Sequence, residues 1–418
     1  MMETERRTAL RRTAALVLLE GLEILRQSDY RCYDYSDYWA THLGQTLKSL
    51  AYRYEPWGDV FFAAPVMAVE VYAPWARRAF KLPKRVYPIS VAHHGLACIH
   101  LATALNAEEF LWAAQEDLTR LLHLVTDSDA GPCWGFPFAW PTNQGVVPAN
   151  VPAATQTAYG FDLADALWRV TEDAGLLGNL EGIARAMDEE YHDLGRTVGI
   201  ASTYHARGYG DVVLNAVTYR IHIAARASAV LGEGRHLDKA QTLTDYVLSR
   251  QNQDGSWYYG ESSKNRFIDH FHTAFVLKNL ARANQVMRRW DVEAAIRRGI
   301  TYYWLHLFDD SGLPQPFARS VRFNPVRYES YDFAECLGLF SLFGPDEGFT
   351  DEALQRVLSG FLAYLELPSG AVRFRVYRVP APAGVPYYRY GMSAALLALA
   401  ALLTTRLAPE VRNARPAI

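Results

Sequence analysis

The 418 residues contain no Cys-x-x-Cys pair, and the four cysteines (Cys32, Cys98, Cys133 and Cys336) are scattered. Such spacing speaks against a disulfide framework and against a zinc set, so buried thiols are expected. No Gly-rich phosphate loop of either common type occurs, and no His/Cys run has metal-ligand spacing; neither cofactor nor metal is expected. Strong positive charge is missing too: the net charge of −3 argues against a nucleic-acid partner. Long apolar runs are absent. The most hydrophobic one, Ala394–Leu403, is short of the ~20 residues a membrane span needs and reads as a buried helix. Arg6, Arg7, Arg11 and Arg12 precede the apolar Ala14–Leu19, but Glu20 and Glu23 interrupt that run and no small-residue cleavage site follows. A signal peptide is therefore not expected, and the cytoplasm is. Strand patterns are scarce, apart from short hairpin-like pieces at Val372–Tyr377.

What the chain does have is helix, loop and aromatic side chains. Half of it is hydrophobic and 21% is charged, as in an ordinary globular protein. Apolar residues at helical spacing predict helices over 5–26, 37–54, 59–80, 88–105, 108–125, 155–173, 179–198, 211–231 and 237–250. Five more are predicted over 269–286, 291–308, 328–343, 350–367 and 388–407. Between them lie a Tyr-rich loop at 28–37 and a long stretch, 126–154, whose five prolines exclude a regular helix. Loops of that length inside a compact domain are uncommon and often functional. A weak repeat is also visible. Gly255, Gly312 and Gly370 each follow one helix and precede another, at steps of 57 and 58 residues. That period suits a helical hairpin with its loops. About six such pairs fill the chain, and a closed ring needs no capping ends. The expected fold is all-α, an (α/α)6-type toroid forming one domain over residues 1–418.

The stretch QNQDGSWYYGESSKNRFIDHFHTAFVLKNL, from Gln251 to Leu280, organises the rest. Asp254-Gly255 supplies a turn, Trp257, Tyr258 and Tyr259 follow, and Asp269, His272 and Thr273 open a helix with side chains on one face. QxxDGSW turns resemble those of α/α-toroid proteins, including terpene cyclases and six-hairpin glycosidases. CWGFPFAW (Cys133–Trp140), QNQDGSWYYG (Gln251–Gly260), IDHFHTAFVL (Ile268–Leu277) and PYYRYG (Pro386–Gly391) resemble a bacterial family associated with surface-polysaccharide assembly. That resemblance spans residue 30 to the chain end and implies a toroid that handles polysaccharide. The chain departs from the family's pattern at Ala139 and Pro141-Thr142-Asn143, at Arg327 and Glu329, and at Met392-Ser393-Ala394. If those positions bind or catalyse in the family, this member has changed substrate or lost activity.

Asp269 with His272 is the candidate catalytic pair, since a carboxylate can orient an imidazole that then works as general base or acid. The plainer role for Asp269 is helix N-cap. Trp257, Tyr258 and Tyr259 are candidate sugar-stacking residues, or plugs on a hairpin. Trp134, Phe136, Phe138 and Trp140 alternate along an extended loop, so one face of it is aromatic; Trp134, Trp140, Trp257 and Tyr258 are expected around one opening. His205, Arg207 and Asn215 flank a helix start, where Arg suits an anion and a loop ion pair is the alternative. Glu329, Asp332 and Glu335 offer carboxylates for sugar chemistry, or a solvated face. Arg389, with Tyr387, Tyr388 and Tyr390 around it, forms a candidate anion clamp. Asp127-Ser128-Asp129 continues into Ala130, so no DxDD box supports class II terpene cyclisation.

The leading expectation is a carbohydrate-active protein taking an oligo- or polysaccharide, by hydrolase, lyase or epimerase chemistry. Inner helix N-termini converging on one face favour an anionic sugar. A non-catalytic glycan-binding or scaffold toroid is the alternative, and a terpene-cyclase-like enzyme the third.

Overall fold

The computed structural model describes residues 2–406 apart from 56, 127, 143–144, 321–323 and 383–384, with side chains from residue 8 onward. Arg6, Arg7, Asp127 and Asn143, singled out above, thus lie outside the described side chains.

The three glycine turns share one hydrogen-bond pattern. Backbone N–H groups of Asn252, Asp309 and Leu367 donate to the carbonyls of Ser256, Leu313 and Ala371, four residues on. Gly255, Gly312 and Gly370 each donate back to the first residue of the turn. Their φ angles of 92°, 71° and 74° lie where side-chain-bearing residues rarely go. The repeat is a real structural unit.

In chain order the helices are Met2–Gln27 (α1), His42–Arg53 (α2), Ala64–Tyr72 (α3), Ala76–Ala79 (α4), Pro88–Leu105 (α5), Glu108–Leu122 (α6), Ala154–Thr171 (α7) and Gly175–Glu189 (α8). They continue as Leu214–Leu231 (α9), Gly234–Ser249 (α10), His270–Met287 (α11), Trp290–His306 (α12), Ser330–Leu342 (α13), Asp351–Leu365 (α14) and Ser393–Thr405 (α15). Helices α5, α7, α9, α11, α13 and α15 touch one another in that order, and α15 returns to α5. The ring is closed. Helices α6, α8, α10, α12 and α14 pack outside their inner partners, and α1, from the opposite end of the chain, packs on α15. Among the described residues this makes six hairpins, an all-α (α/α)6 toroid.

Burial separates the two layers. Helix α5 buries 14 of its 18 residues, while α6 buries four of 15 along a single stripe. A helix apolar on every side belongs inside, and an amphipathic one outside. Small residues let the layers close. A Cβ on Gly160 of α7 would meet the Trp134 ring at 2.4 Å, and one on Gly299 of α12 the Trp257 ring at 2.6 Å.

Three expectations need correction. The helix predicted over 179–198 runs from Gly175 to Glu189, and the chain then forms a hairpin of Asp193–Gly195 with Ile200–Ser202, whose turn uses Gly199 (φ 67°). The helix predicted over 59–80 is a π-type turn, Asp59–Ala63, followed by α3 and α4, interrupted at Pro74, which cannot donate a helical hydrogen bond. The strand at Arg375–Tyr377 is real, but it pairs antiparallel with Val326–Glu329 rather than within a local hairpin. No helix among the described residues is long and apolar enough to cross a membrane. All four cysteines are free and buried.

Candidate functional site

The inner helices run parallel, so their first turns meet at one end of the ring. A cavity of about 430 Å³ opens there, lined by Ile89 of α5, Gln156 of α7, Asn215 of α9, His272 of α11, Tyr331 of α13 and Arg389 just before α15. Every inner helix thus contributes from its N-terminal end. The walls are aromatic: Phe136, Phe138 and Trp140 from the long loop, Tyr204 and Tyr259 from the connections, and Phe275 below. Lys48 sits 3.6 Å from the centre of the Trp140 ring.

None of the inner helices α5, α7, α9, α11 and α13 carries a side-chain N-cap. Asp269 holds the N-cap position of α11 without making a capping bond; its carboxylate turns instead to His272, whose Nδ1 lies 2.6 Å from Asp269 Oδ2. Asp269 is buried, and the His272 side chain is 19% exposed. With Nδ1–H given to the carboxylate, Nε2 keeps the lone pair that a base needs. Tyr259 packs against the imidazole, with ring centres 4.4 Å apart. A cleft of about 10 Å³ lies behind the pair, bounded by Asp269, Trp257 and Tyr258.

His205 is a second imidazole on the same cavity. It packs near Tyr204 and Phe136, with ring centres 4.7 and 6.0 Å away. It is 4% exposed, and neither ring nitrogen has a hydrogen-bond partner in the protein. Burial alone pulls its pKa down to about 4, so the ring is neutral near pH 7. Asn215 Oδ1 is likewise buried without a partner. Unpartnered polar atoms of this kind are costly unless something else meets them.

The remaining candidates divide sharply. Trp140, Tyr259, Asn215 and Arg389 reach the cavity with His205 and His272. Trp134 and Trp257 do not surround an opening: both are buried, and their indole N–H groups donate to Leu121 O (2.8 Å) and Val247 O (3.0 Å) near the ends of α6 and α10. Both therefore tie an outer helix end to the ring. Tyr258 stands behind Tyr259 and accepts from Arg319 Nη1 at 2.9 Å. Arg207, at φ 58°, is exposed and pairs with Glu190 at 3.0 Å. Glu329 is buried against Arg375 at 2.6 Å, and Tyr388 is buried in the core; neither lines the cavity. Arg389 does line it, but its fork is turned to Asp34, at 2.9 and 2.6 Å. Its charge is already matched, which removes the anion clamp. Lys264, the other cation lining the cavity among the described residues, pairs with Glu55 at 3.1 Å.

Carboxylates are few. Among the described residues, Asp211 alone presents one to the cavity, and Asn265 Nδ2 donates to it at 2.8 Å. Glu335 pairs with Lys278 deeper in the ring. Asp332 is buried with neither oxygen hydrogen-bonded; burial, with Glu329 and Asp269 nearby, pushes its pKa well above the usual carboxylate range. Sequence reasoning missed Gln156 and Tyr331, which look like ordinary core positions. Gln156 accepts from Ile89 N at 3.0 Å, in place of a cap on α5. It also missed Asp34, whose only signal was membership of the Tyr-rich loop.

No family model and no curated protein matches the sequence. Solved structures do. The fold is that of several sugar-processing enzymes. A cellobiose 2-epimerase from Bacillus thermoamylovorans B4167 superimposes with a TM-score of 0.57 at 12% identity, over 77% of this chain and 90% of that one. An α-1,6-mannanase of Salegentibacter sp. HEL1_6, bound to α-1,6-mannotriose, gives 0.56 at 10% identity over 77% and 91%. A glycosyl hydrolase of family 88 from Bacteroides vulgatus gives 0.53 at 10% identity over 87% and 98%. At such identities the likeness carries the architecture and no more.

Proposed function

We propose that the protein is a carbohydrate-active enzyme that moves a proton at a sugar carbon beside a carbonyl, as an epimerase does. The observation that carries this reading is the cavity's chemistry: one imidazole held by a buried aspartate, a second with no partner, and one lining carboxylate among the described residues. Glycoside hydrolysis asks for two carboxyl groups flanking the bond, ~5–10 Å apart. The described lining offers one, already hydrogen-bonded. A histidine oriented by a buried aspartate is instead a general base near neutral pH.

In this reading Nε2 of His272 removes the proton, and Asp269 stabilises the imidazolium that forms. His205, neutral and unpartnered, donates its N–H to the carbonyl oxygen as it gains negative charge. A neutral imidazole suits that task, because it stabilises charge without first losing a proton. The aromatic walls stack on the flat faces of neighbouring sugar units. Water in the open cavity delivers a proton to the opposite face and inverts the carbon, and His272 gives the proton it took back to solvent. The epimerase of similar fold supports this reading, and so do the matched charges of Arg389 and Lys264, which favour a neutral sugar over an anionic one. A setting in surface-polysaccharide assembly rests on the sequence resemblance.

The test is incubation with neutral reducing oligosaccharides in deuterated water, followed by NMR. Deuterium at the carbon beside the carbonyl, lost in His272→Ala, is expected. New reducing ends without deuterium would mean hydrolysis, and an unsaturated product would mean a lyase. Saturable binding with no turnover would leave the glycan-binding module.

A further inference from the structure

The segment between α2 and α5 lies outside the ring and carries a run of exposed large apolar side chains. Trp57, Phe61, Trp75 and Phe80 are 68%, 65%, 69% and 67% exposed. Within the helical part the exposed positions are 57, 60, 61, 64, 65, 68, 69 and 72, the i, i+3, i+4 spacing of one face. All of them are apolar apart from the Tyr72 hydroxyl. The opposite side is firmly attached. Glu70 and Arg77 form a buried ion pair with Tyr387 bound to both, and Tyr35 donates to Met67 Sδ.

Charge is as one-sided as apolarity. The exposed charged residues from 53 to 84 are Arg53, Arg78, Lys81 and Lys84, all cationic. The acids of the segment are withdrawn: Glu70 is buried, and Glu55 and Asp59 are partly buried, with Glu55 paired to Lys264. An apolar face with tryptophans, in a segment whose exposed charged residues are all cationic, has the make-up of a helix lying in a lipid interface. A second copy fits poorly, since a two-fold contact would set these cations against themselves.

We propose that this face docks the protein on an anionic phospholipid surface. The aromatic residues enter the headgroup boundary, and Arg53, Arg78, Lys81 and Lys84 meet lipid phosphates. Tyr52, at the end of α2 just before the segment, lines the cavity, so docking holds the cavity mouth beside the membrane. The proposal is independent of the chemistry inside the cavity and is read without turnover.

The experiment is flotation of the full chain with phosphatidylcholine vesicles, with and without phosphatidylglycerol, at low and high salt. Binding is expected only with phosphatidylglycerol, and raised salt should weaken it. Trp57→Ser with Trp75→Ser should lower binding about tenfold, and so should Lys81→Glu with Lys84→Glu. Unchanged circular dichroism would show that the exposed substitutions spare the fold. Should a variant pair misfold, the other pair decides. Failure to float with phosphatidylglycerol, or equal flotation with both lipids, overturns the proposal. So does a concentration-dependent dimer that Trp57→Ser with Trp75→Ser dissolves, since a second copy would then cover the face.

Discussion

Of the four aspartate–histidine pairs among the described residues, two involve no outer helix, and these two, some two turns apart along the inner helices, differ in their surroundings. In the lumen, His222 Nε2 lies 2.8 Å from Asp162 Oδ1, and the Arg282 fork grips the same carboxylate at 2.8 and 2.9 Å. Burial raises the Asp162 pKa, but Arg282 and His222 outweigh it and hold the carboxyl well below its usual range; the ring of His222, desolvated and beside Arg282, stays neutral. At the cavity, Asp269 holds His272 with no described cation on the carboxylate, and the imidazole borders open space. An aspartate already neutralised by arginine has little left to stabilise an imidazolium. One that faces a histidine alone keeps that capacity. The same two residue types therefore make a structural clasp in one layer and, on the proposed function, a base in the other.

The contrast can be broken by exchanging the injuries. His272→Ala should reduce proton exchange by ~10²–10⁴-fold, the scale of a lost general base, with an unchanged melting transition. Asp162→Ala should do the reverse. It leaves the partly exposed Arg282 and the buried His222 without their partner, which costs ~1–3 kcal/mol of stability, while folded enzyme keeps its turnover. Denaturant unfolding and the deuterium assay, run on both variants, decide. Equal losses of activity with equal losses of stability would erase the distinction.

Asp269→Asn sharpens the comparison by a smaller step. The amide keeps the shape but cannot stabilise a cationic ring, so turnover should fall by ~10²-fold or more. Stability should change by less than ~0.5 kcal/mol, because Asp269 makes no capping bond. If activity survives, His272 works unaided.

His205 offers the smallest effect, read through pH. Its folded pKa of about 4 lies below the ~6.5 of an unfolded histidine, so the unfolded chain binds more protons between those values. Stability from this residue is complete above pH ~6.5 and is lost as pH falls towards 4, by at most ~3 kcal/mol. His205→Gln should flatten that part of the acid limb relative to the parent. Parallel limbs would mean that His205 takes up a proton as readily in the fold as in the unfolded chain, and its burial would then not keep the ring neutral.

How much of this was legible in the sequence differs from residue to residue. The boundaries of Pro88–Leu105 and the glycine turns could be read directly, because helix periodicity, Pro at a first turn and positive-φ glycine are local matters. The contact of Asp269 with His272 was legible for the same reason: three residues apart on a helix means neighbours. Trp134 and Trp257 were not. Each follows an outer helix in a polar stretch, and nothing nearby reveals that its N–H closes on a helix-end carbonyl 13 or 10 residues back.

By itself, then, the sequence determined helices, turns and their period, since those depend on backbone angles and side-chain spacing within one segment. Tertiary structure decided which polar groups would be matched and which left facing a cavity. Asp162 meets Arg282 from 120 residues away, and Asp34 meets Arg389 from 355. The energy of a buried charge depends on what the closed ring brings within ~4 Å of it, and no local pattern encodes that neighbour. It also decided that α1 would complete the sixth hairpin with α15, because only closure leaves the first and last helices each with an unburied apolar face to share.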